Sequence, residues 1–294
     1  MSLPENDFKP GLDLLKSPIL PLVRLAQLLY LTGPFDRVEE LLAELHEPLE
    51  TATISYENPG NELKPYLAPL KTIESLKFPR EENRVIRDET GAPVAPLEAL
   101  DAWIAQEILT MELETINSLL CRPCGCMLCC IGPDGELSQE YFEIPLDAAE
   151  TSLFDLPVLD TPSSRSSTPE DEPPFAPTGR PFYREPSGLY HWQSGWSLVL
   201  PRGTSCPALT AGTGSCRIYP ERPLVCRRPQ IFPYMLERLP KRDPQAPMDL
   251  TPEYTLRRKI LAVWDCPYVK RFQDQITRYA ELCEMEILFR ENKA

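Results

Sequence analysis

The chain has 294 residues, 42% of them apolar, and 44 acidic against 30 basic side chains give it a formal net charge of −14. That length and apolar fraction supply a core without disulfide staples, so its ten cysteines are not the framework of a small secreted domain. The acidity disfavours general nucleic-acid binding through phosphate contacts, although residues 206–294, with 11 acids and 15 bases, are locally basic.

Residues 1–11 are polar, with no targeting segment among them. The most apolar stretch, 19–31, is shorter than a bilayer span and carries Arg24 and Gln27. A cytoplasmic protein with reduced thiols and no membrane attachment is expected. Ser17 to Leu31 reads as a helix ended by Gly33-Pro34. Phe35, Val38, Leu42 and Leu45 then recur at helical spacing until Pro48. Thr51 to Tyr56 suggests a strand, Leu63 to Leu76 a helix despite its prolines, and Arg84 to Val94 a hairpin around Gly91. Leu97, Leu100, Ile104, Ile108, Met111 and Leu119 predict a helix that delivers the chain into Cys121. Tyr141 to Ile144 predicts a strand, and Leu189 to Leu200 two strands turning at Ser194-Gly195. Between them, residues 160–187 are rich in proline, serine and charge, which predicts a disordered or surface insertion. Thr251 to Asn292 reads as mostly helical, interrupted near Cys266-Pro267, with Phe272, Ile276, Tyr279 and Cys283 on one apolar stripe.

Five cysteines fall within ten residues: Cys121, Cys124, Cys126, Cys129 and Cys130; Cys206, Cys216 and Cys226 follow. Thiols at such spacing can converge on a metal, because a tight turn aims several sulfurs at one point. Cys121-x-x-Cys124 is a two-ligand knuckle, and Gly125 lets the backbone turn after it. Side chains of the adjacent pair Cys129 and Cys130 diverge, so they serve two metals or divide between ligation and packing. Cys206 and Cys266 each precede a proline, as ligand cysteines of ferredoxins do. Cys283, on its helical stripe, reads as a core residue. Arg217, Arg222, Arg227 and Arg228 crowd the second group. They would offset the charge of a thiolate centre; the alternatives are bracing of loop carbonyls or capture of a ligand carboxylate or phosphate. His46 and His191 lack ligand spacing. The Ala211-Gly212-Thr213-Gly214 run lacks the strand, helix and lysine of a nucleotide loop. No Ser/His/Asp set can be assigned.

The run Cys-x-x-Cys-Gly…Cys-Cys, then Cys206-Pro-x-Leu, then Cys216-x-Ile-Tyr-x-x-Arg-Pro-x-x-Cys226-Arg, resembles the YkgJ-type cysteine-cluster proteins. The resemblance covers roughly residues 118–230 and implies a zinc- or iron-chelating domain; flagellin lysine-N-methylases are relatives of that family. The chain departs from the pattern twice. Three residues, Cys126-Met127-Leu128, stand between the glycine and the Cys-Cys pair where the family usually has one, and the stretch between the two halves is long.

The expected fold is α+β, helix-rich around a loop-rich cysteine core. It comprises a mainly helical region 1–117, a metal-binding domain 118–230 with a disordered insertion 160–187, and C-terminal helices 231–294 packing on the core. The two cysteine groups are expected to meet, since neither is a complete site alone. The expected ligands are Cys121, Cys124, Cys129, Cys130, Cys206, Cys216, Cys226 and Cys266, with Cys126 able to replace Cys124 or Cys129. The first expectation for the cofactor is an iron–sulfur cluster, because eight thiols exceed the four of one structural zinc. Zinc holding an interaction surface is the alternative. The relatives imply a third, a methylase-like enzyme using S-adenosylmethionine, for which no nucleotide motif is present. An unidentified protein partner fits these readings; nucleic acid and membrane do not.

Overall fold

The computed structural model describes residues 5–51, 53–78, 84–134, 138–175, 178–228, 230–239 and 251–291. They fall into two compact units, the first formed by residues 1–120 with 230–291 and the second centred on Cys121–Pro229. The fold is α+β.

The first unit is organised around the helix Pro96–Cys124. Leu100, Ile104, Ile108, Leu109, Leu113, Ile116 and Leu120 are all buried along it. Apolar residues on more than one face mark a core helix, not a surface one. The helices Lys9–Lys16, Leu20–Thr32 and Val38–Glu44 precede it in the chain. Gly11 lies so close to the long helix that a Cβ there would sit 2.7 Å from Leu120. Among the described residues no single helix is long and apolar enough to cross a membrane; Lys9–Lys16 and Leu20–Thr32 reach that length only as a pair bent by 42°.

The sheet of this unit has Glu253–Val263 at its centre. Ile231–Arg238 runs antiparallel along one edge. Val85–Arg87 and Glu286–Arg290 run parallel to it, at opposite ends of the other edge. A register shift between Tyr234 and Leu236 coincides with Arg258 at φ 49°, a bulge in the long central strand. The long helix also satisfies the open edge of Ile231–Arg238. The Asn117 side chain accepts from Ile231 N–H (3.2 Å) and donates to its carbonyl (2.7 Å), while Gln106 accepts from the N–H groups of Met235 (3.0 Å) and Leu236 (3.1 Å). Two amides thus stand in for a missing strand.

The C-terminal helices expected over Thr251 to Asn292 are only partly present: Pro267–Arg271 and Gln273–Leu282 are helical, but strands flank them. The strand Glu253–Val263 draws its stability from pairing with residues distant in sequence, which local periodicity does not report.

The second unit contains a four-stranded sheet in the order Tyr141–Leu146, Gly195–Pro201, Gly188–Trp192, Val158–Leu159. The turn at Ser194-Gly195 falls where the sequence predicts it, with Gly195 at φ 120°. One face of the sheet carries Leu146, Leu189, Leu198 and Leu200 with Phe154 and Ala208, and Cys206, Cys216 and Ile218 pack on it. The other carries Tyr190, Trp192 and Val199 around Phe182. The expectation that 160–187 is disordered is therefore corrected over its described residues. Phe182 is 0% exposed, and its ring meets those of Tyr141, Tyr190 and Trp192 at 4.8, 5.4 and 5.1 Å. Side chains fasten the turns around it. Asp171 accepts from Thr168 N–H at 2.7 Å, and Asp160 pairs with both Arg165 and His191. Composition, averaged over the segment, hides a single aromatic anchor.

Candidate metal centre

The first cysteine group starts inside a helix. Cys121 and Cys124 occupy the last turn of Pro96–Cys124, so their spacing of three puts both on one helical face. Gly125, at φ 62°, ends the helix in a conformation that glycine adopts without strain. Met127 and Leu128 follow, exposed, and Leu128–Cys130 forms a 3-10 turn closed by Cys130 N–H donating to Met127 O (2.7 Å).

The backbone then joins the two groups. Ile131 bridges antiparallel to Ser205, Cys206 N–H donates to Cys130 O at 2.7 Å, and Gly132 N–H to Thr204 O at 2.9 Å. Only glycine fits at 132, since a Cβ would lie 2.1 Å from the carbonyl oxygen of Pro201. A small hairpin carries the next pair: Leu209 bridges to Cys216, and Thr210 N–H donates to Ser215 O (2.8 Å). The glycine-containing run 211–214 is the tip of this hairpin, with Gly212 and Gly214 at φ 81° and 68°. Cys226 ends the 3-10 turn Leu224–Cys226. That turn is held from outside, because Glu150 accepts from Leu224 N–H (2.7 Å) through one oxygen and from Asp147 N–H (2.9 Å) through the other. The sequence gives no sign of Glu150's part, which depends on a partner 74 residues away.

Seven thiols are thereby linked by electrostatic contact. Cys121 faces Cys124 and Cys129; Cys130 faces Cys129, Cys206 and Cys226; Cys216 faces Cys206 and Cys226. The two groups meet, as expected. All ten cysteines of the chain are free thiols. Burial raises the pKa of Cys121 and Cys206, and raises that of Cys226 to about 12. Cys129 is the exception, lowered to about 7 because it accepts a hydrogen bond from Cys130, with help from a backbone N–H and the charge of Arg222. The same bond holds the proton on Cys130.

Arg222 is a buried charged residue of this cluster, 5% exposed. Its guanidinium carbon stands 4.1 Å from the centre of the Tyr219 ring, and the guanidinium hydrogen-bonds to Cys121. Tyr219 itself hydrogen-bonds to Cys121 and to Arg222. The other expected residues lie as follows. Cys126 is half-buried after Gly125. Cys266 belongs to the first unit, 3% exposed, as the residue before the helix Pro267–Arg271; its following proline sits in that helix's first turn. Cys283 is buried in the first unit, as its stripe predicts.

A donor set of thiols without histidine fits a thiophilic metal. Among the described residues no three His, Cys, Asp or Glu side chains are already gathered into a metal-holding arrangement.

Residues 120–245 match the family model CxxCxxCC, whose description is "putative zinc- or iron-chelating domain". The match bears out the cysteine-cluster resemblance read from the sequence. No curated protein and no solved structure matches the chain.

Proposed function

We propose that the second unit binds a metal through Cys121, Cys124, Cys129, Cys130, Cys206, Cys216 and Cys226, and that the metal is iron in an iron–sulfur cluster. The observation that carries this reading is the linkage of seven thiols from two distant stretches of sequence. Seven exceeds the four that one structural zinc takes, and suits a cluster with additional thiols beside it. Such a cluster, when bound, supplies one-electron chemistry.

The chain's own part is to present and deprotonate the thiols. Gly125 and Gly132 permit the close turns, and the Cys130–Cys206 backbone bond brings the groups together. Each ligating thiol gives its proton to water as it binds, so binding weakens as pH falls. Thiolate ligation also needs reduced cysteines, which suits a cytoplasmic location.

Zinc is the second reading. It is favoured by the Cys121-x-x-Cys124-Gly125 turn, whose helical face and positive-φ glycine form a two-sulfur knuckle. Protein produced and purified without oxygen separates the two. Iron and acid-labile sulfide in similar amounts support the cluster. Stoichiometric zinc without sulfide replaces the cluster by zinc, and a chain free of both metals defeats metal binding itself.

A further inference from the structure

We infer that the surface around the cysteine groups docks an acidic, partly apolar segment of another protein. This goes beyond the metal-binding reading, since it concerns the surface and not the ligands. The chain as a whole carries a net charge of −14, yet the two stretches that hold the converging thiols have the opposite sign. Residues 121–133 and 202–228 contain six arginines and no lysine, against a single acid, Glu221. Solubility does not call for such a reversal, because the negative charge of the rest of the chain supplies it. The choice of arginine also matters. Its planar fork takes a carboxylate through two parallel hydrogen bonds, and it is more weakly hydrated than lysine, so it suits an interface.

The fold gathers this charge around an apolar pair. Arg122 and Arg217 are exposed, and so are Met127 and Leu128, at 42% and 51%. The guanidinium carbon of Arg122 lies 5.7 Å from the centre of the Tyr219 ring, and Arg217 stands two residues before that tyrosine. Arg217 is steadied by donating to Pro207 O, and Arg227 by donating through Nε to Arg222 O at 3.0 Å. Both of these acceptors are backbone carbonyls, which hold a guanidinium without neutralising it. Met127 reaches the tip of the small hairpin, where a Cβ on Gly214 would sit 3.1 Å from its sulfur. It thus lies between the turn that carries the first cysteine group and the hairpin that carries Cys216 and Arg217. Methionine and arginine are enriched in protein interfaces, where an apolar centre is rimmed by polar groups. A phosphate backbone would meet the same arginines, but the charge of the whole chain opposes it. Acidic protein segments supply carboxylates for the arginines and apolar side chains for Met127 and Leu128.

The test uses the reduced full chain and a fluorescent synthetic peptide of alternating aspartate and leucine, with binding followed by anisotropy. The chain should bind this peptide and not the same peptide with lysine in place of aspartate. Raising the salt from about 50 to about 500 mM should weaken binding, because exposed charges are screened. Arg122→Glu combined with Arg217→Glu should weaken it by about 10-fold or more, since like charges then face each other. Met127→Ser combined with Leu128→Ser should also cost about 10-fold, through lost apolar burial. Lys16→Glu combined with Arg278→Glu makes the same charge change on exposed residues of the first unit. That control should keep the affinity within about 2-fold, because distant exposed charges are screened. No binding of the acidic peptide at low salt overturns the inference. So does unchanged binding in either double variant of the second unit, or an equal loss in the control. Tighter binding of a single-stranded oligonucleotide than of the peptide overturns it as well.

Discussion

The two units handle their buried polar groups differently. In the first, Asn117, Gln106 and Glu112 each complete backbone or side-chain hydrogen bonding. Asn117 and Gln106 serve the edge of a strand, and Glu112, 3% exposed, accepts from Ile19 N–H at 2.8 Å and from the Tyr279 hydroxyl at 2.6 Å. In the second, the buried Arg222 guanidinium stacks on the Tyr219 ring at 4.1 Å and hydrogen-bonds to Cys121, beside a group of thiols. The first arrangement is complete as a polypeptide. The second presents thiols, the groups that a metal takes as ligands. The difference predicts that metal acts on one unit and leaves the other as it is.

The largest effect expected is that of the metal itself. Binding to structural thiolate sites is worth about 10 kcal/mol or more in small domains that fold only with metal. Here the sheet of the second unit has its own apolar packing, so the gain in stability is a fraction of that. Calorimetry of the reduced chain should show one transition raised by metal and lowered by a chelator, while the other stays in place. Cys226→Ser should abolish the response. Two transitions that move together would remove the distinction between the units.

Next comes Phe182→Ala. Deleting a fully buried phenylalanine costs about 3–5 kcal/mol, and Phe182 is the ring on which Tyr141, Tyr190 and Trp192 converge. The loss should appear in the transition of the second unit alone, measured by denaturant unfolding. A change under about 1 kcal/mol would return this segment to the dispensable insertion that its composition suggests.

The third effect concerns pH, and lies in the first unit. Burial raises the Glu112 carboxyl from its usual 4.5 to about 7. Folding therefore favours the protonated form. Its contribution is fully present below pH 4.5 and is lost as pH rises through 7, by about 3 kcal/mol in total. Glu112→Gln keeps an acceptor for Ile19 and should flatten this dependence in unfolding curves between pH 4.5 and 7.5. An equally steep dependence in the variant would assign it to another group.

How far the sequence revealed these features depended on the range of the interaction responsible. The long helix into Cys121, the Ser194-Gly195 turn and the burial of Cys283 follow from local periodicity and turn chemistry, and all are present. The convergence of the cysteine groups follows from counting donors, because an incomplete site needs a second half. The strand Glu253–Val263 and the anchoring of Phe182 were illegible because their partners lie elsewhere in the chain. Glu150, which holds the Cys226 turn from 74 residues away, carries no sequence signal at all. Tyr219 and Arg222 were visible as parts of a motif. Their stacking at 4.1 Å became visible only in the fold.

The smallest effects expected are those of the two cysteines of the first unit. Cys283 is fully buried beside Tyr279, and its backbone N–H donates to Tyr279 O at 3.0 Å. Cys283→Ala removes one sulfur from a packed core and should cost about 1 kcal/mol, comparable to a deleted methyl group. Metal content should be unchanged. Cys266→Ala is the sharper variant, because the proline after it resembles that of a ligand cysteine. In the structure that proline begins a helix, and Cys266 O accepts from Lys270 N–H at 3.1 Å in its first turn. The backbone accounts for the Cys-Pro pair without a metal, so Cys266→Ala should also keep its full metal content by elemental analysis. A loss of metal in either variant would place a ligand in the first unit. The centre would then belong to both units, and the independence of the two transitions would disappear with it.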